Sequence, residues 1–111
     1  MLGKQYQGIF MPIQDITFEK SDDGCHIYAL CHGKIIGSIF FVKIGDDKIM
    51  ISESEIEPDY KNENIELYLT EQIINMARTQ HRKVITICPY ILEIFKNHPE
   101  FDDVRLLNNG L

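Results

Sequence analysis

The hydrophobic period changes twice along this chain, and that double change limits the folds open to it. Up to about Ile56 the apolar residues recur in short alternating runs, the pattern of strands with two unlike faces. From about Asn62 to Gln80 they recur at helical spacing, with Ile65, Leu69, Ile73 and Met76/Ala77 on one stripe flanked by Leu67 and Ile74. Glu63 and Glu66 fall in the first turn of that helix and Arg78 in its last, as the helix dipole prefers. At Lys83 the strand pattern returns as Lys-Val-Ile-Thr-Ile and hands over, through Cys88-Pro89-Tyr90, to a second helix over Pro89–Asn97. A strand, a helix and a strand in succession form a crossover, which sets the two strands parallel.

Turn clusters divide the first half into four strands. Ser21-Asp22-Asp23-Gly24 closes a strand around Ile16 and Phe18, His32-Gly33-Lys34 reads as a hairpin turn, and Gly45-Asp46-Asp47 turns the chain again. Cys25–Cys31 places Cys25, Ile27, Ala29 and Cys31 on one face, with His26, Tyr28, Leu30 and His32 on the other. Lys34–Ile44 is β-branched and aromatic, hence a largely buried strand. In Lys48–Ile56, Ile49 and Ile51 face opposite to Met50 and Ser52, and Pro58-Asp59 ends the run. Val104 and Leu106–Leu107 supply a last short strand. The expected order is β-β-β-β-α-β-α: an α+β fold with a mixed, mostly antiparallel sheet of five or six strands and two main helices. Residues 1–14 show no period and read as an arm before a single domain over 15–111.

The chain has 111 residues, enough for one core. Its net charge of -6 argues against nucleic acid and anionic membrane as partners and suits a cationic or amine ligand better. The longest apolar run, Ile35–Val42, is interrupted by Gly37 and Ser38 and is too short to cross a bilayer. Three cysteines, with no basic-then-apolar export signal over Met1–Pro12, point to free thiols in a reducing cytoplasm.

Cys88 carries the sharpest chemical reading. A thiol at a helix N-terminus meets unpaired N–H groups and the positive end of the dipole, which favour its thiolate. Pro89 suits the first helical position, where its missing N–H has no partner to lose. The other reading of Cys88 is a small buried hydrophobe at a strand end. Glu53 is either a general base for an amine or a solvated strand carboxylate. Tyr90 is either a proton donor or an amphipathic ring packed on the sheet. No metal is expected: alternation sets Cys25 and Cys31 opposite to His26 and His32, so the four cannot surround one ion. His81 reads as solvent-facing, and His98, before Pro99, as a cap on the last helical carbonyls.

Three segments resemble the GNAT superfamily of acyl-CoA-dependent N-acetyltransferases. Ala29–Ser38 looks like the hairpin between its second and third strands, and Ile56-Glu57-Pro58-Asp59-Tyr60-Lys61 like the end of its fourth. Cys88-Pro89-Tyr90 followed by His98-Pro99-Glu100-Phe101 looks like a small-domain subfamily with Cys-Pro-Tyr and His-Pro-Glu-Tyr signatures. The resemblance implies that acetyl-CoA lies in a splay between strands four and five, its diphosphate wrapped by a glycine-rich loop, and that acetyl passes to an amine. Ile56 then matches the strand-end apolar residue, Lys61 the loop's arginine, and Ile65 a loop residue. Asn62 and Asn64 stand in place of glycines, and Glu66 in place of a small residue. Asn tolerates a left-handed backbone, whereas Glu63 and Glu66 add negative charge beside a diphosphate. Glu53 and Ser54 occupy the subfamily's His-Thr. Cys88 becomes a thioester-attacking nucleophile or a lining of the acetyl pocket, and Tyr90 a proton donor to the departing CoA thiolate. The alternative is a non-catalytic interaction module on the same fold, with a degenerate diphosphate loop. The acceptor side is left open or covered by a partner, a second copy included.

Overall fold

The computed structural model describes residues 15–106, so the arm over 1–14 and the Leu107 end of the expected last strand lie outside the described residues. Five strands form one sheet in the order β1-β2-β3-β4-β5: β1 Ile16–Lys20, β2 His26–Cys31, β3 Lys34–Ile44, β4 Lys48–Ile56 and β5 Lys83–Thr86. β1 to β4 pair antiparallel, and β4 pairs parallel with β5. The crossover between them is α1, Ile65–Gln80, and α2, Pro89–Asn97, follows β5. The α+β class and the element order agree with the sequence reading.

Local chemistry explains the turns. Asp23 accepts from Ser21 Oγ and from the Cys25 amide, which bends the β1–β2 loop back on itself. His32 and Gly33 both take positive φ, 51° and 80°, as a two-residue hairpin demands.

The core lies between the sheet and α1. Ile27, Ala29 and Cys31 from β2, Ile39 and Phe41 from β3, and Ile49 and Ile51 from β4 meet Ile65, Leu69, Ile73, Ile74 and Ala77 of α1 in one buried cluster. Ile91 and Phe95 of α2 join it, with Phe101 and Val104 beyond. At about 25 cal/mol per Å² of apolar surface, each of the Ile, Leu, Val and Phe side chains contributes roughly 1.5–3 kcal/mol on burial.

Four expectations need correction. β3 is buried only at its centre, since Lys34, Ile35, Lys43 and Ile44 are exposed at its ends. α1 starts at Ile65 rather than near Asn62, because Pro58–Tyr60 forms a 3₁₀ turn and residues 61–64 continue as turns. The last strand reduces to a single parallel bridge, Val84 with Arg105, in which Val84 donates to Val104 O at 2.7 Å and Leu106 donates to Val84 O at 2.9 Å. His98 closes α2 with its backbone N–H, which donates to Phe95 O at 3.3 Å, while its ring turns to Glu100. His81 is exposed, as expected, and ends α1 in a left-handed conformation with φ 57°.

Candidate active site

Simple alternation fails in the second half of β4, and the failure shapes the site. The register passes from Phe41–Ile51 to Phe40–Glu53, leaving Ser52 as an extra residue: a β-bulge. Without it, Glu53 and Glu55 would share the buried face of Ile49 and Ile51. The bulge exchanges the faces, so Glu53 and Glu55 stand exposed while Ser54 and Ile56 are half-buried. Ser54 then reaches α1, its Oγ donating to Glu66 Oε2 at 2.6 Å.

The same half of β4 leaves β5. Their pairing ends at Ile51 with Thr86, and β4 runs on to Ile56 with β3 as its only strand neighbour among the described residues. Thr86 fixes the point of divergence: its Oγ1 donates to Ile51 O at 2.9 Å and accepts from the Cys88 amide at 3.1 Å. Glu53 and Cys88 each lie two residues past the Ile51–Thr86 pair, one on either side of the opening. Cys88 is the N-cap of α2 with Pro89 in the first turn, and its carbonyl accepts from Leu92 at 3.0 Å. Its residue is 7 % exposed and belongs to the apolar core, whereas Tyr90 is 69 % exposed.

Beside the end of β4, α1 presents its N-terminus, with Ile56 and Ile65 lining one cavity. Asn64 sits there in left-handed conformation, φ 62° and ψ 26°, with no side-chain cap, and its carbonyl accepts from Tyr68 at 3.1 Å. An Asn therefore supplies the backbone shape expected of a glycine. The first-turn amides of a helix have no acceptor within it, so they and the dipole suit an anion. Gly37 allows the close approach. A Cβ there would lie 3.0 Å from both Ile56 Cδ1 and Ile65 Cγ2.

A cavity of about 310 Å³ lies between this helix start and α2, and Ile56, Lys61, Asn64, Ile65 and Tyr90 all line it. Five of the eight residues named from sequence are thus gathered at one place. Asn62 is exposed and is not among the lining residues, nor are Glu53 and Cys88, which flank the strand opening instead. Sequence reasoning missed Glu93, Asn97 and His98 as further parts of the wall. Their spacing along α2 was a usable signal: Tyr90, Glu93 and Asn97 recur at three and four residues, one helix face. Glu66 also lines the cavity, with its carboxylate engaged by Ser54.

The arrangement fits a long arm with an anionic end: an open strand edge for the arm, then free amides and Lys61 for the charge. A splayed mixed sheet beside an uncapped helix start is the framework of the acyl-CoA-dependent N-acetyltransferase class. The chain belongs to the GCN5-related N-acetyl-transferase family, whose model matches residues 26–104. No curated protein matches the chain. Among solved structures, it is similar to a GCN5-like protein from Staphylococcus aureus, with TM-score 0.68 and 14% identity over 86% of this chain and 93% of that one. It is also similar to a Mycobacterium tuberculosis protein in complex with CoA, with TM-score 0.61 and 18% identity over 68% of this chain and 48% of that one. A third is the N-acetylglutamate synthase of Neisseria gonorrhoeae complexed with coenzyme A and N-acetyl-glutamate, with TM-score 0.59 and 15% identity over 75% of this chain and 22% of that one. At these identities the likeness is one of fold. Among the described residues no helix is long and apolar enough to cross a membrane.

Proposed function

We propose that this protein is an N-acetyltransferase that takes acetyl from acetyl-CoA and delivers it to an amine. The observation that carries the reading is the departure of β4 from β5 after the Ile51–Thr86 pair, with the end of β4 at Ile56 sharing a cavity wall with the uncapped start of α1. When bound, acetyl-CoA supplies an activated acetyl thioester. The edge of β4 up to Ile56 holds the arm. The amides around Asn64 and Ile65, with Lys61, hold the anionic end, and Asn62 contributes from the turn before them.

Three side chains carry the chemistry in this reading. Glu53, exposed past the bulge, accepts a proton from the acceptor ammonium, directly or through water. Tyr90, exposed in the first turn of α2 and lining the cavity, gives a proton to the departing sulfur. Cys88 either lines the acetyl pocket or attacks the thioester, and its burial favours lining. Three free cysteines support action in a reducing cytoplasm.

A second reading keeps the fold without catalysis, as an interaction module. Glu66 and Glu93 in the cavity wall favour it, because like charges weaken anion binding. Calorimetric titration with acetyl-CoA, followed by acetyl transfer to a panel of amines, separates the two. Binding together with transfer is expected, and no binding at millimolar acetyl-CoA would leave the module.

A further inference from the structure

We propose that His98 is a phosphate-recognition residue of the cofactor cavity, held in position by Glu100 and Phe101; the inference rests on the acetyl-CoA reading above. His98 lines the same cavity as Lys61, Asn64 and Ile65. It ends α2 as Lys61 precedes α1, so the two lie at opposite ends of the chain segments that build the wall.

The ring is fixed on two sides. Nδ1 lies 3.0 Å from Glu100 Oε2, and the ring stacks on Phe101 with centroids 5.5 Å apart and planes 22° from parallel. The backbone N–H is already spent on Phe95 O. Pro99 begins the 3₁₀ turn Pro99–Phe101, which brings both the carboxylate and the aromatic ring back under the imidazole. Glu100 is itself anchored, because its carbonyl accepts from Arg78 Nη2 at 3.0 Å.

With Nδ1 facing Glu100, Nε2 is the ring nitrogen left for a ligand. An imidazolium donates from both nitrogens at once, to a carboxylate on one side and to a phosphate oxygen on the other. A phosphate needs that help here. Glu66 and Glu93 also line the cavity, and Lys61 is the one lysine or arginine set against them among the lining residues, so a further N–H donor from His98 would help hold an anion. A planar ring clamped by stacking loses little freedom on binding, whereas a free lysine loses several rotamers.

The test compares wild type with H98A, H98K and E100Q, measuring dissociation constants for CoA, 3′-dephospho-CoA and pantetheine by NMR titration, with thermal melts checking the fold. Expected are a loss of about ten-fold or more in CoA affinity for H98A, a smaller loss for E100Q, recovery in H98K, and unchanged pantetheine binding. A loss that disappears with 3′-dephospho-CoA assigns His98 to the 3′-phosphate, and one that persists assigns it to the diphosphate. Equal losses for CoA and pantetheine, or CoA affinity unchanged in folded H98A, overturn the proposal alone. Wild type that binds no CoA overturns the acetyl-CoA reading, and this inference with it.

Discussion

Ser54 Oγ donates to Glu66 Oε2 at 2.6 Å, tying the bulged half of β4 to the first turn of α1. This bond ties together two segments beside the cavity and engages a carboxylate that lines it. Charge and tether can be separated by substitution. Glu66→Gln keeps an acceptor for Ser54 and removes the charge, and is expected to tighten CoA binding about five-fold, for a screened repulsion near 1 kcal/mol. Ser54→Ala frees the carboxylate and is expected to weaken binding. Calorimetry on both variants checks the pair of opposite signs.

Gly37 is expected to accept even a methyl group only at a cost. An added Cβ would press on Ile56, on Ile65 and, at 3.3 Å, on Glu55 O. Ile65 is buried at the start of α1 and Ile56 is half-buried beside it, so both must give by a few tenths of an ångström to admit the methyl. Gly37→Ala should destabilise by about 1–3 kcal/mol, read as a lower denaturation midpoint. Because the shift falls on the cavity wall, CoA affinity should drop as well.

Tyr90 and Cys88 should separate chemistry from packing. Tyr90 is 69 % exposed, so Tyr90→Phe should change stability by less than about 0.5 kcal/mol. If its hydroxyl is the proton donor, acetyl transfer should fall by about 100-fold or more. Cys88→Ala removes a buried sulfur and should cost about 1 kcal/mol. Retained transfer in Cys88→Ala would make the thiol a pocket lining; loss of an acetyl-enzyme signal in mass spectrometry would make it the nucleophile.

One ion pair should contribute to the acid side of the stability profile. Arg78 Nε and Nη2 donate to Asp103 Oδ2 and Oδ1, both at 2.9 Å, joining the end of α1 to the segment after α2. This hydrogen bonding from Arg78 holds the Asp103 carboxyl below its ordinary 3.8. A depressed carboxyl stabilises the fold above its unfolded value and loses that contribution as pH falls through the folded value. Asp103→Asn should therefore melt lower than wild type at pH 7, with the gap closing as pH falls below 3.8 and through the depressed folded value. The pair is exposed, so the gap should be small and should shrink in high salt.

Much of the framework was legible in residues alone. The period change near Asn62, the turn clusters and the Cys88-Pro89 junction gave five strands, two helices and a parallel crossover, because each depends on contacts within a few residues. Pro89 at the first helical position and Asn64 in a left-handed backbone are likewise local matters, and both stand as expected. The bulge at Ser52 was hidden. Its trace in Lys48–Ile56 is that Glu53 and Glu55 follow Ile49 and Ile51 on one parity while Ile56 falls on the other, but the extra residue is fixed only by the register that β3 and β4 share. The contacts of His98 with Glu100 and Phe101 are local, but its place in the cavity wall with Lys61, Asn64 and Ile65 was hidden, because it requires α2 to pack beside the start of α1.

The sequence by itself determined where strands and helices form and which faces are apolar, since spacing and turn chemistry act over short range. Tertiary structure alone decided which carboxylates face water, where β4 parts from β5, and which side chains meet around the cavity. Those outcomes depend on pairing and packing between segments far apart in the chain, where a one-residue slip turns every following side chain to the other face.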